Sequence, residues 1–249
     1  METAPDDDLL ASYEVPRPTP DGRPWVLANM VAGLDGSLAW QGRVGAMSSA
    51  TDRALFVRLR GLADGVLVGA GTVRAEGYGP VRLPGDVRAA RVATGRPEVP
   101  PLVVVSRSLD LDWDAPLFAP GAASRPVVVT AETAPPERLA RAREAAEVVV
   151  AGEAMVEPVV AMAALAERGM RVVLTEGGPT LLAELVAAEL LDELCLTLTP
   201  VFGGDPLTMA HRARAADVLA RFTLAGLVPR DHEVYLRYLL QRDLQGGGS

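Results

Sequence analysis

The chain has 249 residues, of which 49% are hydrophobic and 22% are charged, and its formal net charge is −8. This length allows one large α/β domain or two small ones, and the acidic balance argues against nucleic acid as a partner, because phosphate binding needs clustered positive charge. No apolar run approaches 18 residues and the acidic start lacks a signal-peptide pattern, so we expect a cytoplasmic protein that does not enter membranes.

Residue types that are missing exclude several kinds of active site. All 24 basic residues are arginine, which excludes a Schiff-base lysine and a P-loop lysine. His211, His232 and Cys195 are the only histidines and cysteine, so we expect no metal site and interpret these three residues as structural. The chemistry must then come from carboxylates, arginines, hydroxyls, backbone groups and a bound cofactor.

The first third of the chain predicts a leader, a strand, a helix and a second strand. Residues 1–23 are rich in proline and aspartate, which predicts a flexible leader. Trp25–Ala32 is a strong strand candidate and is followed by a turn at 35–36. The pattern from Ser49 to Asp52 is typical of a capping box that begins an amphipathic helix. A short apolar strand at 65–68 then ends in Gly-Ala-Gly-Thr.

The middle of the chain alternates predicted strands and helices. Residues 81–101 predict a long excursion, either a functional or interface loop or a disordered segment. We expect strands over 102–105, 126–130, 148–150 and 171–175, and helices over 136–145 and 158–168. Nearly continuous apolar strands that alternate with helices indicate an α/β fold with a mainly parallel central sheet flanked by helices.

The end of the chain predicts a different pattern. Residues 191–198 are strand-like, and 222–227 and 233–240 predict an antiparallel hairpin at one edge of the sheet. An apolar edge of this kind predicts a homodimer. We therefore expect a single domain over 24–242, followed by a flexible tail or linker over 243–249 that ends in Gly-Gly-Gly-Ser.

Two glycine turns follow predicted core strands. In the first, Gly177 and Gly178 connect a strand to a helix that opens with Pro179, and unpaired N–H groups at a helix N-terminus attract anions. By itself this pattern is equally typical of a bare tight turn. The second turn, from Gly69 to Thr72, departs from the dinucleotide fingerprint because Arg74 occupies the third glycine position. On one sheet edge, the two turns could hold both ends of a pyrophosphate.

Charged residues also lie at predicted strand ends, each with a structural alternative. Ser106 and Arg107 are placed to clasp a ribose 2′-phosphate, although an isolated Ser-Arg pair is more often a solvated loop. Asp35 and Glu176 precede glycines, where acids are commonly turn residues, yet both would face a crevice at the strand ends. Arg60 is either a phosphate clamp or a charge that complements its helix dipole.

In this order, the blocks around these residues resemble the pyrimidine reductases of riboflavin biosynthesis. The resemblance runs from about 25 to 240 and includes Leu34-Asp35-Gly36, Arg60, Val68-Gly69-Ala70-Gly71-Thr72-Val73, Val105-Ser106-Arg107, Thr175-Glu176-Gly177-Gly178-Pro179-Thr180-Leu181, Leu191-Asp192-Glu193-Leu194 and Pro200-Val201-Phe202-Gly203-Gly204. It is similar to the reductase half of the bifunctional deaminase-reductase, which implies a dihydrofolate-reductase-like fold.

The resemblance implies a cofactor, a substrate and a set of site residues. NADPH would lie along the sheet edge and reduce the ribosyl group of 5-amino-6-(5-phosphoribosylamino)uracil by hydride transfer to C1′. Asp35, Arg60 and Glu176 would face this small-molecule substrate, with Asp35 or Glu176 supplying the proton. The residues assigned to the cofactor are Asn29, Gly69, Gly71, Thr72, Glu76, Ser106, Arg107, Gly177, Gly178, Pro179, Thr180 and Leu181.

Departures from the family pattern leave other functions open. Asn29 stands where the family carries a lysine, and the segment 76–80 replaces an acid–proline pair that is followed by a basic residue. The alternatives are a dihydrofolate or pterin reductase, a flavin- or deazaflavin-dependent reductase, and a non-catalytic NADPH-binding dimer.

Overall fold

The computed structural model describes residues 6–121, 123–205 and 219–242. The strands in this part of the chain are β1 Trp25–Ala32, β2 Gly65–Gly69, β3 Leu102–Val105, β4 Val127–Thr130, β5 Glu147–Val150, β6 Val172–Thr175, β7 Glu193–Leu198, β8 Phe222–Arg230 and β9 Glu233–Leu240. These nine strands form one sheet with the order β5-β4-β3-β2-β6-β1-β7-β9-β8.

The sheet is mostly parallel with an antiparallel end, which confirms the predicted fold class. Strands β1 to β7 pair in parallel, and β1 lies between β6 and β7. β9 pairs antiparallel with β7, and β8 forms the outer edge of the predicted hairpin. All seven parallel strands therefore end at one edge of the sheet, where ligands bind in open α/β folds.

Seven helices accompany the sheet in the described residues: α1 Asp6–Ala11, α2 Ala50–Leu62, α3 Ala70–Glu76, α4 Gly85–Ala93, α5 Pro136–Ala145, α6 Pro158–Glu167 and α7 Pro179–Ala187. The hydroxyl of Ser49 accepts a hydrogen bond from the Asp52 N–H, so one half of the predicted capping box is present at the start of α2. The other half is not, because the Asp52 carboxylate accepts from the Ser48 hydroxyl instead of the Ser49 N–H. α3 begins directly after β2, so the second glycine turn is a strand-to-helix junction rather than a loop.

Apolar side chains fill both faces of the sheet. Within β2, Leu67 packs in a cluster with α6 and α7, while Val66 and Val68 pack in a second cluster on the opposite face. A third cluster joins α1 and α2 to β1 and contains the fully buried Cys195, as expected for a small structural residue.

The segment 81–101 is ordered and contains α4, so the expectation of a loop or disorder is wrong. Arg91 of α4 is 1% exposed and donates hydrogen bonds to the carbonyls of Gly61, Ala63 and Pro97. The bonds to Gly61 and Ala63 satisfy carbonyls at the end of α2 that lack partners within that helix. The Pro, Gly and Arg content of this segment therefore gave no indication of α4, the helix that stabilises the C-terminus of α2.

The prediction of a flexible leader is also wrong for residues 6–23. Leu9 and Tyr13 are buried in the third cluster at 1% and 2% exposure. Arg17 forms a bidentate ion pair with the buried Glu193, and Arg23 forms one with Asp192. Two apolar anchors and two arginine forks hold this segment against β7. Residues 243–249, predicted to be a tail, and His211 lie outside the described residues.

Candidate active site

A cavity of about 980 Å³ opens at the carboxyl edge of the sheet, where β1, β2 and β6 end. It brings together most of the residues predicted for the site, which are Asn29, Arg60, Gly69, Gly71, Thr72, Glu76, Glu176, Gly177, Gly178, Pro179, Thr180 and Leu181. The remaining three, Asp35, Ser106 and Arg107, do not line it. Segments of the sequence that are more than 100 residues apart therefore meet in one concave site.

The β6–α7 junction presents an uncapped helix N-terminus to the cavity. Gly177 has a φ of +86°, a conformation that residues with a side chain rarely adopt. The N–H of Gly178 donates to the Thr72 hydroxyl over 3.1 Å, and a Cβ at Gly178 would lie only 2.7 Å from that oxygen. No side chain caps the N-terminus of α7. Its first N–H groups, at Thr180 and Leu181, have no intrahelical acceptor.

Glu176 and Arg60 form a bidentate ion pair in the cavity wall. Arg60 Nε and Nη2 donate to the two carboxylate oxygens over 2.6 and 2.8 Å, and the Tyr78 hydroxyl donates to Oε2 over 2.8 Å. The Glu176 side chain is only 2% exposed. Burial and the Glu176 charge raise the pKa of the Tyr78 phenol, so this donor keeps its proton. The charge of Arg60 is therefore balanced by Glu176. Arg60 is not free to act by itself as a phosphate clamp or as the charge that complements the dipole of α2.

The structure places Asp35 outside the cavity, contrary to the prediction that it faces the substrate. Its carboxylate accepts hydrogen bonds from the Ser37 hydroxyl at 2.6 Å, the Gly203 N–H at 2.7 Å and the Ser37 N–H at 3.1 Å. These bonds lower the pKa of Asp35 to about 2. A carboxyl group that is ionised so readily is a poor proton donor. Asp35 instead ties the β1 turn to the loop after β7.

The remaining polar residues predicted for the site are Glu76, Ser106 and Arg107, and each has different surroundings. Glu76 lines the cavity, where its carboxylate accepts from the Val44 N–H and so holds the 41–45 loop at the rim. The Ser106 hydroxyl is buried without a hydrogen-bond partner among the described residues, whereas Arg107 is exposed. Both follow β3, the neighbour of β2, at the edge where the cavity opens.

Sequence reasoning missed many residues of the cavity, among them Asp52, Arg53, Phe56, Tyr78 and Arg82. Asp52 and Phe56 are one turn apart on α2, and both were interpreted through their helical roles alone. The signal for Tyr78 was an aromatic residue between two glycines in a segment rich in turn residues. For Arg82 there was no local signal.

The described residues contain no group of three or more His, Cys, Asp or Glu side chains arranged to hold a metal ion. Nor does any helix among them have the length and apolarity required to cross a membrane.

Comparisons with known proteins agree on a reductase family. Residues 24–234 match the family described as RibD C-terminal domain. A 2,5-diamino-6-ribosylamino-4(3H)-pyrimidinone 5′-phosphate reductase from Archaeoglobus fulgidus is 32% identical over 183 residues, which cover 73% of this chain and 83% of the relative. The reductase of the same name from Methanothermobacter thermautotrophicus is 30% identical over 187 residues, 73% of this chain and 80% of the relative.

A solved structure is also similar over nearly the whole chain. The crystal structure of a pyrimidine reductase-like protein from Corynebacterium diphtheriae superposes with a TM-score of 0.85 at 28% identity and covers 96% of this chain and 100% of the other. The predicted resemblance and the predicted class of enzyme, an oxidoreductase, are confirmed by these relatives. The chain belongs to the family of the RibD C-terminal domain, the reductases of riboflavin biosynthesis.

Proposed function

We propose that this protein is an NADPH-dependent reductase that acts on a ribosylaminopyrimidine 5′-phosphate by hydride transfer to the ribosyl C1′. The observation that carries the proposal is a cavity in which an uncapped, glycine-lined helix N-terminus faces the same space as β1 and α2. The pyrophosphate and nicotinamide would lie at the N-terminus of α7, and the pyrimidine would lie beside β1 and α2. The names of the two archaeal relatives support a substrate of this class.

The residues at the β2 and β6 ends fit a dinucleotide. The N–H groups of Thr180 and Leu181 and the dipole of α7 suit its pyrophosphate. Asn29 adds a buried amide oxygen without a hydrogen-bond partner among the described residues. Arg107, exposed and without a side-chain partner in the same part of the chain, stays our candidate for the 2′-phosphate, beside Ser106. When bound, NADPH supplies the hydride.

The substrate side offers cations and a carboxylate. Arg53 and Arg82 line the cavity with exposed side chains, and we assign the substrate phosphate to them. Of the two carboxyl groups predicted to supply the proton, only Glu176 lines the cavity, but its ion pair with Arg60 keeps it charged, so the proposal gives Glu176 the role of orienting a water molecule that delivers the proton. The reaction breaks the C1′–O4′ bond, C1′ takes the hydride, and O4′ takes the proton.

Oxidation of NADPH in the presence of substrate tests this proposal. Purified protein is offered the diamino pyrimidinone phosphate, its deaminated uracil counterpart or dihydrofolate, and nicotinamide absorbance is followed. NADPH deuterated at the transferred position should deliver deuterium to C1′ of the pyrimidine product, as read by mass spectrometry. Oxidation with dihydrofolate alone would replace the proposal by a pterin reductase. Saturable NADPH binding without any oxidation would indicate a binding protein, and a yellow protein would indicate a flavin or deazaflavin enzyme.

A further inference from the structure

The start of α2 is held by the C-terminal hairpin of β8 and β9. Glu233 is the first residue of β9 and is 3% exposed. Its Oε2 accepts one hydrogen bond from the Ser49 hydroxyl over 2.6 Å and another from the Tyr235 hydroxyl. Asp231, in the turn of the same hairpin, accepts from the Thr51 hydroxyl over 3.1 Å. Two side-chain hydrogen bonds therefore join the hairpin to a helix start that is at least 180 residues away in the chain.

Glu233 orients the hydroxyl group that caps α2. The Ser49 oxygen accepts from the Asp52 N–H over 3.0 Å, and its hydroxyl proton is donated to Glu233. A hydroxyl has a single proton and two lone pairs, so these two bonds fix its rotation. The Glu233 carboxylate also lies at the N-terminus of α2, where the positive end of the helix dipole favours a negative charge. Glu233 therefore stabilises the capped start of α2 from a neighbouring strand.

The residues on either side of this cap lie in the cavity wall. Ser48 precedes the cap, Arg53 lies four residues after it, and both line the cavity. Arg53 Nη1 donates to the Ser48 carbonyl oxygen over 2.6 Å, so the guanidinium folds back over the start of the helix. This bond uses one of the five N–H donors of an exposed side chain. The location of the Arg53 charge in the cavity therefore depends on how the first turn of α2 is held.

We propose that Glu233 is a positioning residue that acts through Ser49 and holds Arg53 where it binds the phosphate of the substrate. This inference rests on the proposed function, which assigns the substrate phosphate to Arg53 and Arg82. A guanidinium binds phosphate oxygens in a fixed fork geometry, so a small displacement of the helix turn weakens the contact. The proposed cofactor site lies at the ends of β2 and β6, which β1 and β7 separate from β9. Binding of NADPH should therefore not depend on Glu233.

The ratio of kcat/KM for the ribosylaminopyrimidine 5′-phosphate to that for the same compound without phosphate tests the inference. For the wild type we expect a ratio of at least ~100, because each hydrogen bond to a charged group contributes roughly tenfold or more. Glu233→Leu removes the acceptor but keeps a buried side chain of similar size, and the ratio should fall by ~10-fold with an unchanged KM for NADPH. Glu233→Gln keeps an oxygen acceptor for Ser49 and should retain most of the wild-type ratio. Ser49→Ala should behave like Glu233→Leu, whereas Ser49→Thr should not.

Asp192→Leu is the matched control for the loss of a buried acid. Asp192 is also 3% exposed, pairs with Arg23 and Arg242, and lies directly before β7 at the opposite edge of the sheet. Its variant should melt at a lower temperature but keep the wild-type ratio.

The two substrates separate positioning from stability. If Glu233→Leu lowered kcat/KM equally for both compounds, its role would be structural only and the inference would be overturned, as it would be by a wild type that ignores the phosphate. If no compound is reduced at all, the proposed reductase is wrong, and calorimetric titration with ribose 5-phosphate then decides the inference. Binding that weakens in Glu233→Leu but not in Asp192→Leu would support it. Equal binding in both variants, or no binding by the wild type, would overturn it.

Discussion

Arg60 and Glu176 are 116 residues apart in the chain, and they meet as a bidentate pair in the cavity wall. Glu176 is almost fully buried, so removal of Arg60 would leave an uncompensated charge, which typically costs about 3–5 kcal/mol. Tyr78 adds a third hydrogen bond and keeps the carboxylate in one orientation. At the scale of the residue, Glu176 is held in position by Arg60 and Tyr78, which lie about 100 residues away from it in the sequence.

Asp35 allows a prediction about pH at the same scale. Its folded-state pKa of about 2 lies below the usual 3.8, so its ionised form stabilises the fold above pH 3.8, and this contribution is lost as the pH falls through about 2. Asp35→Asn should therefore lower the melting temperature at neutral pH, and its difference from the wild type should shrink between about pH 4 and pH 2. Asp21→Asn, an exposed acid without a hydrogen bond or ion pair among the described residues, is the control. A constant difference across this range would contradict the assignment.

At the scale of the element, the junction between β6 and α7 depends on close packing against α3. Gly178→Ala places a methyl group 2.7 Å from the Thr72 hydroxyl oxygen, and we expect a loss of stability of about 1–3 kcal/mol together with weaker NADPH binding. Gly71→Ala is the matched control for stability alone, because a Cβ there meets nothing within 4 Å of the protein and alanine favours the helix. It should melt at or above the wild-type temperature. Thermal melts and a fluorescence titration with NADPH measure both effects.

The N-terminal segment allows a second prediction at this scale. Leu9 is 1% exposed against α2 and β1, so Leu9→Ala should reduce the free energy of unfolding by about 2 kcal/mol or more. Leu34→Ala, at a leucine that is 66% exposed, makes the same chemical change without a buried contact and should be nearly neutral. Denaturant unfolding of both variants distinguishes the two. If Leu9→Ala and the wild type were equally stable, the N-terminal segment would not be packed on the domain, as the sequence analysis predicted.

Local sequence patterns were sufficient to predict most helices and strands, but they did not predict α1 and α4. The bounds of α5 and β3 follow from apolar periodicity and agree with the structure residue for residue. The sequences of α1 and α4 contain many charged and turn-forming residues, so their apolar periodicity is weak. Leu9 and Val87 in these helices are buried because other elements pack over them. Composition describes a segment alone, whereas burial depends on what packs against it.

At the scale of the whole molecule, β8 is the outer strand of the sheet that the described residues form. Leu224 and Leu227 on this strand are 47% and 54% exposed. Apolar side chains on an edge strand favour association, and we propose that two copies of the chain associate through this hairpin. Light scattering should give twice the mass of one chain. The double variant Leu224→Glu and Leu227→Glu should be monomeric, whereas Val159→Glu, equally apolar and exposed on α6, should stay dimeric. A monomeric wild type would exclude the dimer.

The sequence by itself determined the parallel α/β architecture, the C-terminal hairpin and the two glycine junctions at strand ends, because these depend on periodicity and backbone conformation over a few residues. Only the tertiary structure decided which charged side chains share the cavity. It paired Glu176 with Arg60 and placed Asp35 in a turn outside the cavity. The physical reason is that hydrogen bonding and burial of these groups depend on partners brought together from distant parts of the chain by the order of the strands.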